Sequence, residues 1–404
     1  MSMEIAGKPL DTPSHDAPFA GLRVLDVSQG LAGPHCGMLL GQYGAQVTKL
    51  EPPEGDWSRA IGARHGSHSA IDLAANRGKR SIAVDLKGEG SIAMVRRMAA
   101  QCDVFIESYR PGIAGRLGLG HEDLLRENPG LIYLSISGFG QTGDKSTLPA
   151  TDTVIQGFSG MMSLNLDSNG KPRRLGFLAV DQLTALYAFQ AVSVALYARR
   201  SGAGGRRIDI SLMQATAAFL GIKVVEASLE GESPQPLNVP AGVYRTLDGW
   251  LAITLSKEAH YAALCKSTGL PGLAADPRFA SFQLRAAHGP FLEAEFGKVF
   301  AARTTQQWLE QLQAGGVVAS RVNSVSSFLA DPHVQATGIV PQAEVAGRSF
   351  SFPATPGAAP LDAGEPRAQW PDVGAHGADV LRSFGFNGEE IAALRAGGAF
   401  VQAG

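Results

Sequence analysis

The 404-residue chain predicts an α/β fold, with an open, mostly parallel sheet in a large first domain and a smaller α+β domain after it. Three observations carry this expectation. Short apolar runs alternate with helix-period segments through the first half. Gly and Pro punctuate the places where strands hand over to helices. A stretch of altered composition, Pro234 to Pro240, then interrupts the pattern, and a hairpin signal follows it.

The elements read as follows. Leu22 to Val27 is a short strand bounded by Gly21 and by Ser28-Gln29-Gly30. Pro34 suits the first turn of a helix that stops near Gly44, and a strand follows at Gln46 to Glu51. This unit implies a parallel pair with a right-handed crossover. Ser81 to Leu86 alternates like a strand, Glu89 to Gln101 has helical spacing, and Asp103 to Glu107 and Leu131 to Ser137 are further strands. A long helix opens at Asp181 and ends near Arg199-Arg200. Arg207 to Leu212 is a strand leading into a helix through Glu226. Val243 to Leu255 reads as a hairpin around Asp248-Gly249, with helices at Ala259 to Lys266 and Gly289 to Ala302. Phe352 to Pro371 is expected to be an extended surface connection. The predicted division is a loose N-terminal arm at 1–20, the large domain at 21–230, the small domain at 231–325 and a C-terminal part at 326–404.

Composition narrows the function. Lys plus Arg total 35 against 37 acids, so the chain lacks the basic face that gives nucleic-acid binders most of their affinity. The cysteines Cys36, Cys102 and Cys265 lie far apart, and no His or Cys spacing fits a metal site or a disulfide framework. The N-terminus lacks the features of a signal peptide. The most apolar run, Leu183 to Ala198, is shorter than the roughly 20 residues needed to cross a bilayer. The expectation is a soluble cytoplasmic protein with no membrane or nucleic-acid partner and no bound metal.

Four groups of residues stand out. Gly138-Phe139-Gly140-Gln141-Thr142-Gly143 fits GxGxxG after a strand, but it runs into a segment ending at Pro149 rather than a helix, which argues against a dinucleotide site. Gly30-Leu31-Ala32-Gly33-Pro34 lies between the first strand and its helix, where free N–H groups attract anions. Asn76 to Arg80 and Ser108-Tyr109-Arg110-Pro111 add cations and an aromatic near strand ends, suited to phosphates and a flat base. Asp181 stands alone in Leu178-Ala179-Val180-Asp181-Gln182-Leu183. It reads either as an N-cap or as a nucleophile held ionised by the helix start.

Several blocks in correct order resemble the family III coenzyme A transferases. They are Gly21 to Asp26 with Leu31-Ala32-Gly33-Pro34; Gly44 to Glu51; Lys79-Arg80-Ser81-Ile82; Arg110-Pro111-Gly112 with Arg116-Leu117-Gly118; Ser137 to Gly143; and Arg199 to Leu212. The likeness spans about residues 20 to 340 and fades beyond about 350. It implies a Rossmann-like large domain built from both chain ends, a smaller domain and an interlocked homodimer. It also implies an enzyme that uses acyl-CoA as a cosubstrate, with a small carboxylic acid as acceptor and no tightly bound cofactor.

By the same resemblance Asp181 is the nucleophile, Gly30, Leu31 and Ala32 contribute to the active site, and Lys79, Ser108, Tyr109 and Arg116 hold coenzyme A. Two features depart from the pattern of some members. Leu31 stands where they carry Gln, and Val239 to Tyr244 replaces a Gly-rich flap. The similar α-methylacyl-CoA racemases need a His in the segment that here reads Pro149-Ala150-Thr151-Asp152. Thr151 cannot take a proton from carbon at neutral pH. A racemase and a non-catalytic acyl-CoA binding protein remain the alternatives to a transferase.

Overall fold

The computed structural model describes residues 17–231, 238–361 and 364–401, so most of the expected N-terminal arm and residues 234–237 of the Pro234 to Pro240 stretch lie outside the described residues. The chain separates into two compact units. The larger comprises the residues up to Gly221 together with those from Gly338, and the smaller runs from Ile222 to Thr337. The composition of the sequence puts these limits at 230/231 and 325/326.

The large unit is built on a seven-stranded sheet. In chain order its strands are β1 (Arg23–Asp26), β2 (Gln46–Glu51), β3 (Arg80–Val84), β4 (Val104–Glu107), β5 (Ile132–Ser137), β6 (Arg206–Ser211) and β7 (Phe400–Val401). Their spatial order is β7-β3-β2-β1-β4-β5-β6. All neighbours pair in parallel except β7, which runs antiparallel to β3. From β1 the chain winds outward to β2 and β3, then crosses back to β4 on the other side of β1. The carboxyl ends of β1 and β4 therefore flank a topological switch point, where open α/β sheets bind ligands.

Helices cover both faces. On one face lie α1 (Ala32–Gln42), α3 (Asp152–Phe158), α4 (Ala179–Arg200) and α5 (Leu212–Phe219), packing Leu40, Val104, Leu134, Val180 and Val192 into a single core. On the other, α2 (Ser91–Ala99) and the C-terminal helices Gly377–Ser383 and Gly388–Ala396 bury Leu25, Ile82, Phe105, Met98 and Leu381. The chain's last segment thus completes the core begun by its first strand. Helix α4 is 22 residues long, longer than the expected apolar run, and by length and composition alone could cross a membrane. Half of its most apolar window is packed inside the protein, as in a core helix.

Phe352 to Pro371 runs, as expected, as a largely irregular connection whose described residues are mostly exposed or half-buried. It is pinned by Phe352, which is buried, with Trp370 edge-on at 5.3 Å, and by Trp370 Nε1, which donates to the Leu73 carbonyl at 2.6 Å. The aromatic residues within this Pro- and Gly-rich segment supply the burial that its composition conceals.

In the small unit the hairpin Gly242–Arg245 and Trp250–Thr254 gains a third antiparallel strand, Val318–Arg321. Leu251, Phe296, Phe300, Trp308 and Leu312 form its core, and Trp308 Nε1 donates to the Phe300 carbonyl at 2.9 Å.

Candidate active site

A cavity of about 550 Å³ opens at the switch point. Its walls come from the loop after β1 (Gln29, Leu31, Ala32, Gly33), the loop after β4 (Ser108, Tyr109, Arg110), the end of β5 with Gly138, and the segment Leu148 to Thr151. Trp57 and Asp181 complete it. Residues more than 70 positions apart in sequence meet here because the doubly wound topology gathers strand ends at one place.

Asp181 is the third residue of α4, not its cap. Leu178, at the cap position, offers no side-chain acceptor. Asp152, at the start of α3, does the capping from outside. Its Oδ2 accepts from Val180 N–H at 2.7 Å and Asp181 N–H at 3.3 Å, and its Oδ1 accepts from Gln156 Nε2 at 2.6 Å. Gln156 in turn accepts from Leu175 N–H at 2.8 Å, tying down the loop that enters α4.

The helix-start amides expected to keep Asp181 ionised are therefore given to Asp152. Burial, with the nearby Asp152 charge adding to it, pushes the Asp181 carboxyl up to about 7. Near neutral pH the group is part carboxylate and part acid. The ionised fraction is poorly solvated, which suits a nucleophile.

The loop after β1 behaves differently from the simple anion cradle its glycines suggest. Gly30 has φ +87°, and its N–H donates to both Asp56 oxygens, at 3.0 and 3.1 Å. Gln29 N–H donates to Ser108 Oγ at 3.0 Å. Neither amide is available to a ligand in this geometry. Ala32 and Gly33 open α1, where N–H groups have no intrahelical acceptor, and the cap residue Leu31 supplies none. Both residues line the cavity. Of the expected Gly30 to Ala32 set, Ala32 retains a free donor by position, Gly33 joins it and Gly30 drops out.

Among the four residues expected to hold coenzyme A, Ser108 and Tyr109 line the cavity. Tyr109 N–H donates to Glu107 at 2.7 Å, which fixes the turn. Arg116 is exposed at the end of the short helix Ile113–Arg116 and is not part of the cavity wall. Lys79 is buried and committed elsewhere. Its Nζ pairs with Asp26 at 2.8 Å and donates to the Pro34 carbonyl and Asn76 Oδ1, each at 2.7 Å. Lys79 thus stitches β1 to the start of α1 beneath the site.

Among the other arginines, Arg59 is likewise buried, paired with Glu51 at 2.8 Å and Asp72 at 3.2 Å. Arg173 and Arg174 line a separate depression with Lys171. Arg110 is exposed at the cavity wall, with no carboxylate partner among the described residues.

Sequence reasoning missed Trp57, Asp56 and the capping role of Asp152. An acid opening a helix after a long loop was the available signal for Asp152. Nothing local marked the other two. The glycine motif at 138–143 is followed by loop rather than helix, so it has no dinucleotide-binding geometry.

Comparison with known proteins agrees with this architecture. The family model of CoA-transferase family III matches residues 19–377. The succinate–glutarate CoA-transferase of Agrobacterium fabrum is 35% identical over 349 residues, which is 81% of this chain and 86% of that one. The acetyl-CoA:oxalate CoA-transferase of Acetobacter aceti is 37% identical over 308 residues, covering 74% and 79% respectively. The crystal structure of a CAIB/BAIF family protein from Brucella suis aligns with a TM-score of 0.79 at 30% identity, over 91% of this chain and 100% of that one. Rv3272 from Mycobacterium tuberculosis gives 0.80 at 29%, over 91% and 99%. The chain belongs to CoA-transferase family III and is an enzyme of that family.

Proposed function

We propose that the enzyme moves coenzyme A from an acyl-CoA donor to a carboxylic acid acceptor through covalent intermediates on Asp181. The observation that carries this reading is the Asp181 carboxyl facing the switch-point cavity, with the free amides at the start of α1 and the Ser108-Tyr109 turn in the same walls. An Asp181 oxygen attacks the donor thioester carbonyl. The C–S bond breaks, giving a mixed anhydride and CoA thiolate. The thiolate attacks the aspartyl carbonyl, releasing the donor acid and leaving an aspartyl-CoA thioester. The acceptor carboxylate attacks that thioester, thiolate leaves again, and its attack on the acceptor's acyl carbon yields the product and regenerates the Asp181 carboxylate. Splitting one exchange into acyl transfers lowers each barrier.

Every step develops an oxyanion, for which the Ala32 and Gly33 amides are the donors, each worth about 3 kcal/mol in comparable sites. Ser108, Tyr109 and the exposed Arg110 and Arg116 suit the body of CoA. The relatives named for succinate, glutarate and oxalate support a dicarboxylic acid as acceptor. No histidine lines the cavity among the described residues, and Thr151, which does, cannot act as a carbon base. This favours the transferase over racemase chemistry. The exposed apolar residues Leu186, Val194, Tyr197 and Phe219 support self-association as an interlocked homodimer, here assigned to the cytoplasm.

The test is Asp181→Ala, assayed for CoA transfer and for acyl-CoA binding. The expected result is a loss in kcat on the order of 10³-fold or more with binding retained. Full activity in the variant contradicts the assignment.

A further inference from the structure

We infer that Asp56 is a positioning residue for the transfer reaction, acting through the backbone of Gly30. This rests on the reading of Asp181 as the nucleophile. Asp56 touches no cavity space itself and is 1% exposed. Its carboxylate takes the Gly30 N–H on both oxygens, the Lys49 ammonium at 2.7 Å and Ser58 N–H at 2.9 Å. Its own N–H donates to Glu51 Oε2 at 3.0 Å. Lys49 also donates to the Ser28 carbonyl. One buried ion pair therefore grips the loop after β1 at two points, Ser28 and Gly30.

The next residue closes the grip sterically. A Cβ built on Gly30 would lie 2.4 Å from Trp57 Cζ2, so only glycine lets the indole sit where it does. Asp56 and Trp57 together leave Gly30 a single place. Leu31, Ala32 and Gly33 follow at once in the chain and line the cavity that holds Asp181, with the helix-start amides uncapped by the Leu31 side chain.

The consequence is a division of labour. With the Gly30 amide committed to Asp56, the oxyanion falls to Ala32 and Gly33, whose placement depends on that anchor. A shift of about 1 Å in such donors can cost about 100-fold in rate. The turn that carries Ser108 and Tyr109 meets the β1 loop through Gln29 N–H and Ser108 Oγ, but it has its own anchor in Glu107, which accepts from Tyr109 N–H and Ser135 Oγ, so acyl-CoA binding should largely survive loss of Asp56.

The experiment compares wild type with Asp56→Asn, which keeps the shape but turns one acceptor oxygen into a donor facing donors. Steady-state kcat, KM for acyl-CoA and the single-turnover rate of Asp181 acylation are measured. The inference expects kcat and the acylation rate to fall roughly 10- to 100-fold while KM changes less than about threefold. Unchanged kcat, or a raised KM with kcat intact, overturns it. Should Asp56→Asn fail to fold, Trp57→Phe loosens the same loop from a half-exposed position, with a kcat loss of about fivefold or more expected and unchanged kcat overturning the inference. Absence of any adduct on wild-type Asp181 would instead refute the covalent reading, independently of how kcat responds at position 56.

Discussion

Replacing Asp181 with Asn should stabilise the protein, and increasingly so as pH rises. An aspartate ionises near 3.8 when unfolded, whereas in the fold this carboxyl is pushed up to about 7 by burial and by Asp152. Between those values the folded state holds a proton that the unfolded state has lost. Stability therefore falls as pH rises through this window, and above about 7 the whole penalty is present. At about 1.4 kcal/mol per pH unit the ceiling is about 4 kcal/mol. The side chain faces an open cavity, so water screening reduces the expected effect to roughly 1–2 kcal/mol. Asparagine has the same shape and does not titrate. Urea unfolding of both proteins from pH 5 to 8.5 should show a stability gap in favour of Asp181→Asn that widens toward pH 7 and then levels. A gap that stays constant or narrows would mean that the carboxyl is not desolvated as the structure shows.

Three further outcomes follow from the same geometry. The acid limb of kcat/KM should titrate near pH 7 as Asp181 ionises, and Asp152→Asn should move it downward; a limb below pH 5 in wild type would contradict the burial argument. Gly30→Ala places a Cβ against Trp57 at φ +87°, so activity should fall at least about tenfold with about 1–3 kcal/mol of lost stability, measured by turnover and urea unfolding. Lys79→Met leaves Asp26 buried without its cation and should cost about 3–5 kcal/mol in an unfolding assay. A stable Lys79→Met enzyme with a raised KM for acyl-CoA would instead return Lys79 to the ligand.

Local pattern carried much of the first half. Gln46–Glu51 lies where its apolar run and flanking glycine put it, and α1 begins two residues before Pro34, which sits in the helix's first turn, where its missing N–H costs no intrahelical bond. The cavity-lining loops were legible too, because Gly30 to Pro34 and Ser108 to Pro111 sit at strand ends in the sequence itself. Edge elements were not. β7 is two residues long, and Val318–Arg321 joins its sheet only through a partner more than 60 positions away.

The roles of charged residues were the least legible. Lys79 and Asp26 are 53 positions apart, and Asp152 caps a helix 28 positions later. A lysine at a strand start reads the same whether it meets a phosphate or a buried carboxylate. Only the folded neighbourhood decides. Asp181 shows the same ambiguity, since its place near a helix start suggested a charge-stabilising cap that the structure gives to Asp152.

The central claim is the covalent role of Asp181, and peptide mass spectrometry tests it most directly. The enzyme is incubated with a panel of acyl-CoAs, trapped with hydroxylamine or borohydride, and digested. The account predicts a hydroxamate or reduced side chain at Asp181, appearing only with productive donors and absent from Asp181→Asn. An unmodified Asp181 with every donor, in protein that demonstrably binds acyl-CoA and turns it over, would contradict it.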